Sequence, residues 1–145
     1  MKLSTRSRYG IRLMLELSKN YGKGTIFLKD IARNQEISEK YLSQLIIPLR
    51  GAGLVQSTRG AHGGYSLGKP AAEISLYEIV KALDGPISVV ECVTNPKVCS
   101  RYDICPTQKI WKGLNDSMIR YLTEISLESL LSSCSDVDSD NFYSI

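Results

Sequence analysis

The sequence has no apolar run long enough to cross a bilayer, which takes about 20 residues. Its first six residues carry charge, but no apolar stretch or small-residue cleavage site follows them as in a signal peptide. The single histidine, His62, has no obvious carboxylate or nucleophile nearby in the sequence with which to form a catalytic constellation. These absences predict a cytoplasmic protein that is neither a membrane protein nor an enzyme.

Acidic residues are scarce in the first half of the chain. Residues 1–70 contain 12 Lys and Arg against 4 Asp and Glu, whereas residues 71–145 contain 6 against 11. The two halves therefore carry net charges of +8 and −5, which together give the +3 of the whole chain. This asymmetry indicates that only the first half contacts a polyanion, although chance clustering on a solvated surface would give the same numbers.

Helical periodicity is the main structural signal. Apolar residues spaced i, i+3, i+4 and i+7 predict a helix over 38–52. Its predicted buried stripe is Leu42, Leu45, Ile46 and Leu49. Capping residues predict two more helices: Ser4 precedes one that ends near residue 21, and Ser75 with Glu78 forms a capping box before one that ends at residue 83.

The order of the predicted elements is that of a winged helix-turn-helix. A short helix over 28–33 and a turn precede the long helix, and a ribbon of two short strands follows it over 54–67. Another long helix begins near Thr107, so the predicted fold class is mainly α with a small β-wing, a winged helix-turn-helix plus a long dimerisation helix. The predicted parts are a DNA-binding domain, a cysteine loop, a dimerisation region and a flexible acidic tail, over 1–85, 86–106, 107–133 and 134–145.

The helix over 38–52 is the predicted recognition helix, because a helix fits the major groove, where the base pairs are distinguishable. Its groove-facing candidates are Lys40, Tyr41, Ser43 and Gln44. Gln44 can form two hydrogen bonds with adenine, and Ser38 at the helix start can contribute backbone N–H groups to a phosphate. Two alternatives remain at this point: Gln44 could be an ordinary solvated side chain, and Tyr41 could simply pack on the first helix.

A basic, glycine-rich loop lies between the two predicted strands. Three of its six residues, 59–64, are glycines, which permit positive φ angles and close backbone approach. Arg59 and Gly60 at its tip suit insertion into a narrow, negative minor groove. Arg8 on the first helix, with Arg6 and Arg12, is predicted to hold the DNA backbone and to add to salt dependence.

Three of the four cysteines, Cys92, Cys99 and Cys105, lie in the predicted loop. Three thiolates on one flexible stretch can surround a soft metal centre, and iron–sulfur clusters usually have four ligands. The spacings do not match the CxxC pairs of zinc sites, so a cluster is favoured, while zinc, redox-active thiols and no special role stay open. Candidates for the fourth ligand are Gln108, Cys134, Asp103 or a residue of a second subunit.

The long helix predicted from Thr107 places its positive end beside Cys105, which favours the thiolate form of that cysteine. Its apolar residues alternate spacings of three and four, a two-heptad seam that suits either a partner helix or an ordinary core. The seam consists of Trp111, Leu114, Met118, Tyr121 and Ile125. A last short helix over 126–133 is predicted to precede the flexible tail.

Six short motifs occur together in the chain: Met1–Thr5, Arg8–Gly10, Ile37–Leu42, Leu49–Val55, Arg59–Tyr65 and Leu83–Ile87. In this combination the chain resembles the Rrf-two family of bacterial regulators, in its IscR-like and CymR-like branches, over about residues 1–133. The resemblance implies a homodimeric winged-helix transcription regulator that binds a palindromic double-stranded operator. The function expected from it is repression of genes for iron–sulfur or cysteine metabolism.

In IscR-like members three cysteines hold a [2Fe–2S] cluster, and Cys92, Cys99 and Cys105 fall on those positions. The sequence departs from that pattern in two ways: the first spacing is one residue longer, and Gln108, a poor iron ligand, stands where the pattern has a histidine. A [2Fe–2S] cluster is favoured over a [4Fe–4S] cluster, which in NsrR-like relatives would indicate nitric oxide sensing. The apo form would lack the cluster altogether.

The CymR-like branch implies an alternative, because its members act through a complex with cysteine synthase and lack the three-cysteine loop. The end of the chain, residues 141–145, resembles that branch, so Ile145 and its carboxylate are predicted to dock in a cysteine synthase active site unless this end is only a solubilising tail. An electron carrier or iron–sulfur enzyme is the least favoured interpretation, because the first half is basic and no catalytic constellation is present.

Overall fold

The structure, a computed structural model, describes residues 2–142, with side chains described through residue 135. The regular elements in chain order are α1 (Thr5–Lys19), α2 (Leu28–Gln35), α3 (Glu39–Gly51), β1 (Val55–Thr58), β2 (Gly64–Leu67), α4 (Leu76–Asp84), α5 (Glu91–Thr94), α6 (Gln108–Glu124) and α7 (Leu127–Phe142). This arrangement, helical apart from one antiparallel ribbon, confirms the predicted fold class.

Two of the helices begin where capping residues predicted them. The Ser4 hydroxyl oxygen accepts a hydrogen bond from the Ser7 N–H at 3.0 Å, so it satisfies one of the free donors at the start of α1. At the start of α4, the Ser75 hydroxyl accepts from the Glu78 N–H while the Glu78 carboxylate accepts from the Ser75 N–H. This reciprocal pair is a complete capping box, as the sequence predicted.

One hydrophobic core joins α1, α3, α4 and the start of α7. Its fully buried members include Leu13, Leu45, Ile79 and Leu127, which come from those four helices. The predicted stripe of α3 is buried on this core, with 0–2% of each side chain exposed. Because the last helix closes onto the first, the core contains residues from both ends of the described chain.

The ribbon is anchored to the segment before α2. Strands β1 and β2 pair antiparallel, with Val55 opposite Leu67 and Thr58 opposite Gly64. Ile26 adds a single antiparallel bridge to Tyr65, with hydrogen bonds of 3.0 and 2.9 Å in the two directions. The ribbon is therefore attached on one side to the chain that leads into α2, which fixes the wing relative to the helix-turn-helix.

Two predicted segments differ from the structure. The stretch predicted as a loop over 86–106 contains α5 and two 3₁₀ turns, Pro96–Val98 and Tyr102–Ile104, which are too short to leave a periodic pattern in the sequence. The helix predicted over 126–133 continues to Phe142, so the predicted tail begins inside α7. Serine and aspartate are poor helix formers and made this extension hard to predict; residues 143–145 lie outside the described residues.

Candidate nucleic-acid interface

The recognition helix α3 has one apolar face and one polar face. Opposite the buried stripe, Lys40, Ser43 and Gln44 are all exposed. Ser43 donates its hydroxyl to the Lys40 carbonyl at 2.6 Å, whereas the Lys40 and Gln44 side chains have no hydrogen-bond partner among the described residues. The side chains of Lys40 and Gln44, both predicted to read bases, are thus accessible and free of hydrogen bonds within the described chain.

The turn before α3 contains an unusual backbone conformation. Glu36 has φ 54° and ψ 43°, the left-handed region that non-glycine residues rarely adopt. Ser38 then caps α3, its hydroxyl accepting from the Tyr41 N–H at 3.1 Å. Tyr41 is half-buried, and its ring meets the ring of Tyr9 edge-on at 5.8 Å between centroids. The ring of Tyr41 therefore packs on the first helix, as one of the two interpretations of this residue from the sequence expected.

A polar cluster holds the end of α2 against α1. Arg12 donates from Nε to the Gln35 side chain at 2.9 Å and from a terminal nitrogen to the Gln35 carbonyl. The buried Glu16 carboxylate accepts from Gln35 at 2.7 Å, from Asn34 at 3.2 Å and from Lys19 at 3.1 Å. Burial raises the pKa of Glu16, but these three donors outweigh it, so the net pKa lies below the usual value. This cluster sets the orientation of the helix-turn-helix.

The base of the wing is tightly packed, while its tip is open. The Thr25 hydroxyl lies 2.9 Å from the carbonyl oxygens of both His62 and Gly63. At Gly64, where φ is +136°, an added Cβ would lie 2.6 Å from the Ile26 carbonyl oxygen, so only glycine fits. Arg59 at the tip is exposed and has no partner among the described residues.

A groove lies between the end of α3 and the first strand of the wing. It has a volume of about 610 Å³. Its lining comes from the last turns of α3 and from β1: Ile47, Arg50, Gly51, Val55, Gln56 and Ser57. Because Ser57 lies two residues before Arg59, the outward face of α3 and the strand that leads to the wing tip border the same surface.

The three arginines of α1 differ in how free they are. Arg8 is exposed, and its side chain makes one hydrogen bond, to the Thr5 hydroxyl at 3.1 Å. Arg6 is also exposed and donates from Nε to the Leu83 carbonyl at 3.2 Å, whereas Arg12 makes the contact with Gln35 described above. Of the three predicted phosphate contacts, Arg6 and Arg8 each use one guanidinium donor within the chain, while Arg12 makes structural contacts that the sequence did not indicate.

The four cysteines are free and partly accessible. Within residues 2–135, no three His, Cys, Asp or Glu side chains come together as a ready-made metal site. The predicted ligands Cys92, Cys99 and Cys105 are therefore not preassembled. Gln108 donates from its amide nitrogen to the Tyr102 hydroxyl at 2.9 Å, which gives it a partner other than a metal.

Cys105 lies in a small polar chain at the start of α6. Its sulfur is 3.3 Å from the Thr107 hydroxyl oxygen, which also accepts from the Trp111 indole nitrogen at 3.2 Å. Hydrogen bonds from the Thr107 hydroxyl and from the backbone N–H groups of Thr107 and Gln108 lower the pKa of Cys105. The lowered pKa agrees in direction with the predicted preference of Cys105 for the thiolate form, although the hydrogen bond with the Thr107 side chain is the largest cause of the shift.

The three cysteines are the kind of ligand that an iron–sulfur cluster needs, but their side chains are not arranged as a ready-made site. Thiolates are the preferred cluster ligands, and three are available. None of the residues in α5 and the two following 3₁₀ turns is buried, so this segment can rearrange with little loss of packing. The chain just before this segment is held by the buried Asn115 of α6, whose side-chain oxygen accepts from the Val89 N–H at 3.0 Å.

One feature of this surface was missed in the sequence. The buried Glu16 lies among the core residues of α1, and a carboxylate on an otherwise apolar face is the signal that could have revealed it. Ile47 is 71% exposed on the polar face of α3, in agreement with its spacing from Lys40, Ser43 and Gln44 in the sequence. Among the described residues, no helix combines the length and apolarity that membrane crossing requires.

Comparison with known proteins gives consistent similarities over most of the chain. The family Rrf2, described as an iron-dependent transcriptional regulator, matches residues 3–133. The regulator CymR of Bacillus subtilis is 42% identical over 132 residues, which are 91% of each chain, and IscR of Photorhabdus laumondii is 39% identical over 131 residues, 90% of this chain and 79% of that one.

Solved structures show the same similarity in three dimensions. The structure of CymR, described as the global cysteine regulator of B. subtilis, has a TM-score of 0.79 and 42% identity, with 92% of this chain and 98% of that chain covered. The structure of T. potens IscR has a TM-score of 0.77 and 34% identity, with 94% and 90% covered. The helices and the wing are thus arranged as in these regulators.

Proposed function

The chain belongs to the Rrf2 family of DNA-binding transcriptional regulators, and we propose that it is a homodimeric repressor that binds a palindromic operator in a sequence-specific manner. As a transcriptional regulator, it is not an enzyme. One observation carries the proposal: α3 exposes Lys40, Ser43 and Gln44, and the end of the same helix, at Ile47 and Arg50, borders one groove with the wing strand β1. A recognition helix in the major groove and an arginine beside it in the minor groove would use this arrangement. Its place of action would be the cytoplasm.

Each proposed contact has a physical role. Gln44 reads a base edge, with Lys40 and Ser43 on the same face. Arg59 and Gly60 enter the minor groove, where a narrow width concentrates negative potential. The DNA backbone is contacted by three further residues that position the protein, Ser38, Tyr41 and Arg8. For Tyr41 the contact would use the hydroxyl group, since its ring packs against Tyr9.

The homodimer is supported by the apolar side chains that α6 leaves uncovered. Trp111, Leu114 and Tyr121 of the predicted seam are 37%, 48% and 66% exposed. Side chains of this size on one helix can interlock with the same helix of a second subunit. Two recognition helices related by a twofold axis would then match the two halves of a palindrome.

Salt-dependent titration with promoter DNA tests the proposed operator binding. A regulator should show a sequence preference and an affinity that falls steeply with salt. We expect Arg59→Ala to weaken operator binding by about 1–3 kcal/mol and Gln44→Ala to relax the preference at one position of each half-site. Lys97→Ala, which removes one exposed charge outside the basic half, is the matched control. Equal binding of all duplexes by the wild-type protein would contradict the proposal.

The sensing function that we propose is binding of an iron–sulfur cluster by Cys92, Cys99 and Cys105, [2Fe–2S] rather than [4Fe–4S]. Support comes from the chemistry of three thiolates on one loosely packed segment and from relatives named IscR. When bound, a cluster supplies a centre that responds to iron supply and oxidants. This chain would contribute the three thiolates and, through Asn115, a hydrogen bond that joins the segment to α6.

Anaerobic purification with visible absorption and iron and sulfide analysis tests the cluster. Alanine at any of the three cysteines should abolish the colour without unfolding the protein, whereas Cys134→Ala tests whether that cysteine is the fourth ligand. Gln108→Ala tests the fourth ligand, and we expect it to keep the colour because its amide is bonded to Tyr102. Fluorescence of the single tryptophan, Trp111, reports on the same segment. A colourless, iron-free protein that binds its operator normally would refute cluster sensing.

A second candidate is regulation through a complex with cysteine synthase, favoured by the 42% identity to CymR, the global cysteine regulator of B. subtilis. Ile145 and its carboxylate would enter the synthase active site, and this residue lies outside the described residues. The test is the affinity for the synthase of the full chain and of a chain without residues 141–145. Unchanged affinity after this deletion would remove the idea.

A further inference from the structure

Ile47 is an exposed apolar side chain on the polar face of the recognition helix. It is 71% exposed, whereas the apolar residues Leu45, Ile46 and Leu49 around it in sequence are at most 2% exposed. Isolated exposed apolar residues are common on proteins and by themselves indicate nothing. Ile47 differs from such residues because it lies on the polar face of the proposed recognition helix.

Four exposed residues of α3 form one stripe at helical spacing, namely Lys40, Ser43, Gln44 and Ile47. Residues spaced i, i+3, i+4 and i+7 lie on one side of a helix. A surface that inserts Gln44 into the major groove therefore presents Ile47 to the same groove, one turn closer to the wing. The groove of about 610 Å³ beside β1 includes Ile47 and Arg50 in its lining, and most of the Ile47 side chain faces solvent.

Major-groove base edges present hydrogen-bond donors and acceptors, and one apolar group, the C5-methyl of thymine. An isoleucine that enters the groove has no hydrogen bond to offer, so the thymine methyl is the group that it can recognise. We propose that Ile47 is a specificity-determining residue that reads a thymine methyl in each half-site. This inference rests on the proposed operator binding and deepens it.

Helix geometry indicates where that thymine lies. Lys40 and Ile47 are seven residues apart, or roughly 10.5 Å along the axis at a rise of about 1.5 Å per residue. Successive base pairs are about 3.4 Å apart along the DNA, so this spacing corresponds to about three base pairs. The thymine is expected within about one base pair of the base contacted by Gln44, because Gln44 and Ile47 lie on adjacent turns of the same face of α3.

The experiment replaces thymines of the operator with deoxyuridine, which removes the methyl group and leaves every hydrogen-bonding atom in place. The operator is first selected from a random duplex library with the wild-type protein, and each thymine of a half-site is then replaced in turn. Removing one buried methyl should weaken binding about fourfold. We expect this loss at one position per half-site for the wild-type protein, measured by fluorescence anisotropy at fixed salt.

The variant Ile47→Ala should bind the unmodified operator more weakly and show no further loss with deoxyuridine at that position. Ile47→Val, one methylene shorter, should retain part of the sensitivity. The matched control is Ile104→Ala, because Ile104 has a nearly equal exposure of 72% but lies outside α3, beside Cys105. It should keep the full response of the wild-type protein. Thermal melting checks that each variant is folded.

The outcomes separate this inference from the proposed function. If selection yields no preferred sequence, operator binding itself fails. If a preferred sequence emerges but lacks thymine there, or if Ile47→Ala keeps the wild-type sensitivity to deoxyuridine, only the role of Ile47 is overturned. Loss of that sensitivity in Ile47→Ala and not in Ile104→Ala supports it.

Discussion

Replacing Gly10 by alanine should destabilise the protein, although alanine favours helices more than glycine does. Gly10 lies inside α1, where it faces α4, and an added Cβ would lie 2.1 Å from Cδ1 and 3.5 Å from Cγ of Leu83. Carbon atoms pack best at about 3.5–4.0 Å, so the 6%-exposed Leu83 would have to move within the core. Such overpacking costs about 1–3 kcal/mol, while the helix preference returns about 1 kcal/mol. We expect a net loss of about 1 kcal/mol.

The same substitution should reverse its sign when Leu83 is shortened. Leu83→Ala alone should cost about 2–5 kcal/mol through the cavity that it leaves. In that background no side chain blocks the new methyl group, so Gly10→Ala should stabilise by about 1 kcal/mol through helix preference alone. The coupling between the two sites is then about 2 kcal/mol, well above the scatter of independent mutations.

Urea denaturation followed by circular dichroism measures all four proteins of this cycle. Protein concentration must be equal throughout, because the stability of the proposed homodimer would depend on it. If Gly10→Ala stabilises the wild-type background as much as the Leu83→Ala background, Leu83 moves aside at no cost. The reasoning that glycine is required for close approach of α1 and α4 would then be wrong.

Four further variants test the polar cluster, the turn and the cap. Glu16→Gln should lower stability at neutral pH and make stability less dependent on acid pH. The pKa of Glu16 is lowered in the folded protein, so its ionised form stabilises the fold above the ordinary pKa of 4.5, and this stability is lost as pH falls through the folded-state pKa. Denaturation at pH values from about 7 to about 3 measures this dependence. Glu36→Gly should change the free energy of unfolding by less than about 1 kcal/mol, because relief of the left-handed conformation offsets the added chain entropy, whereas Glu36→Val should cost about 1–2 kcal/mol. Ser75→Ala should cost about 1 kcal/mol in thermal melts through loss of the capping box.

Local signals in the sequence predicted the elements that depend on neighbouring residues. The caps at Ser4 and Ser75 and the apolar stripe of α3 each lie within a few residues, so pattern and chemistry identify them directly. The charge asymmetry and the glycine-rich wing loop likewise indicated that the first half of the chain binds DNA. Weak local signals were missed: serine and aspartate are poor helix formers, which hid the extension of α7, and the short turns near the cysteines are too brief to leave a periodic pattern.

The sequence by itself determined the winged helix-turn-helix, because helix period, capping and turn chemistry are local properties that agree with one another along the chain. Tertiary structure decided which polar side chains are free. Arg12 and Arg8 are both arginines on one helix, yet only the packing of α2 shows that Arg12 is bound to Gln35. It also decided that the Glu16 carboxylate is buried, because burial depends on what lies opposite a side chain in space, and no local pattern records that.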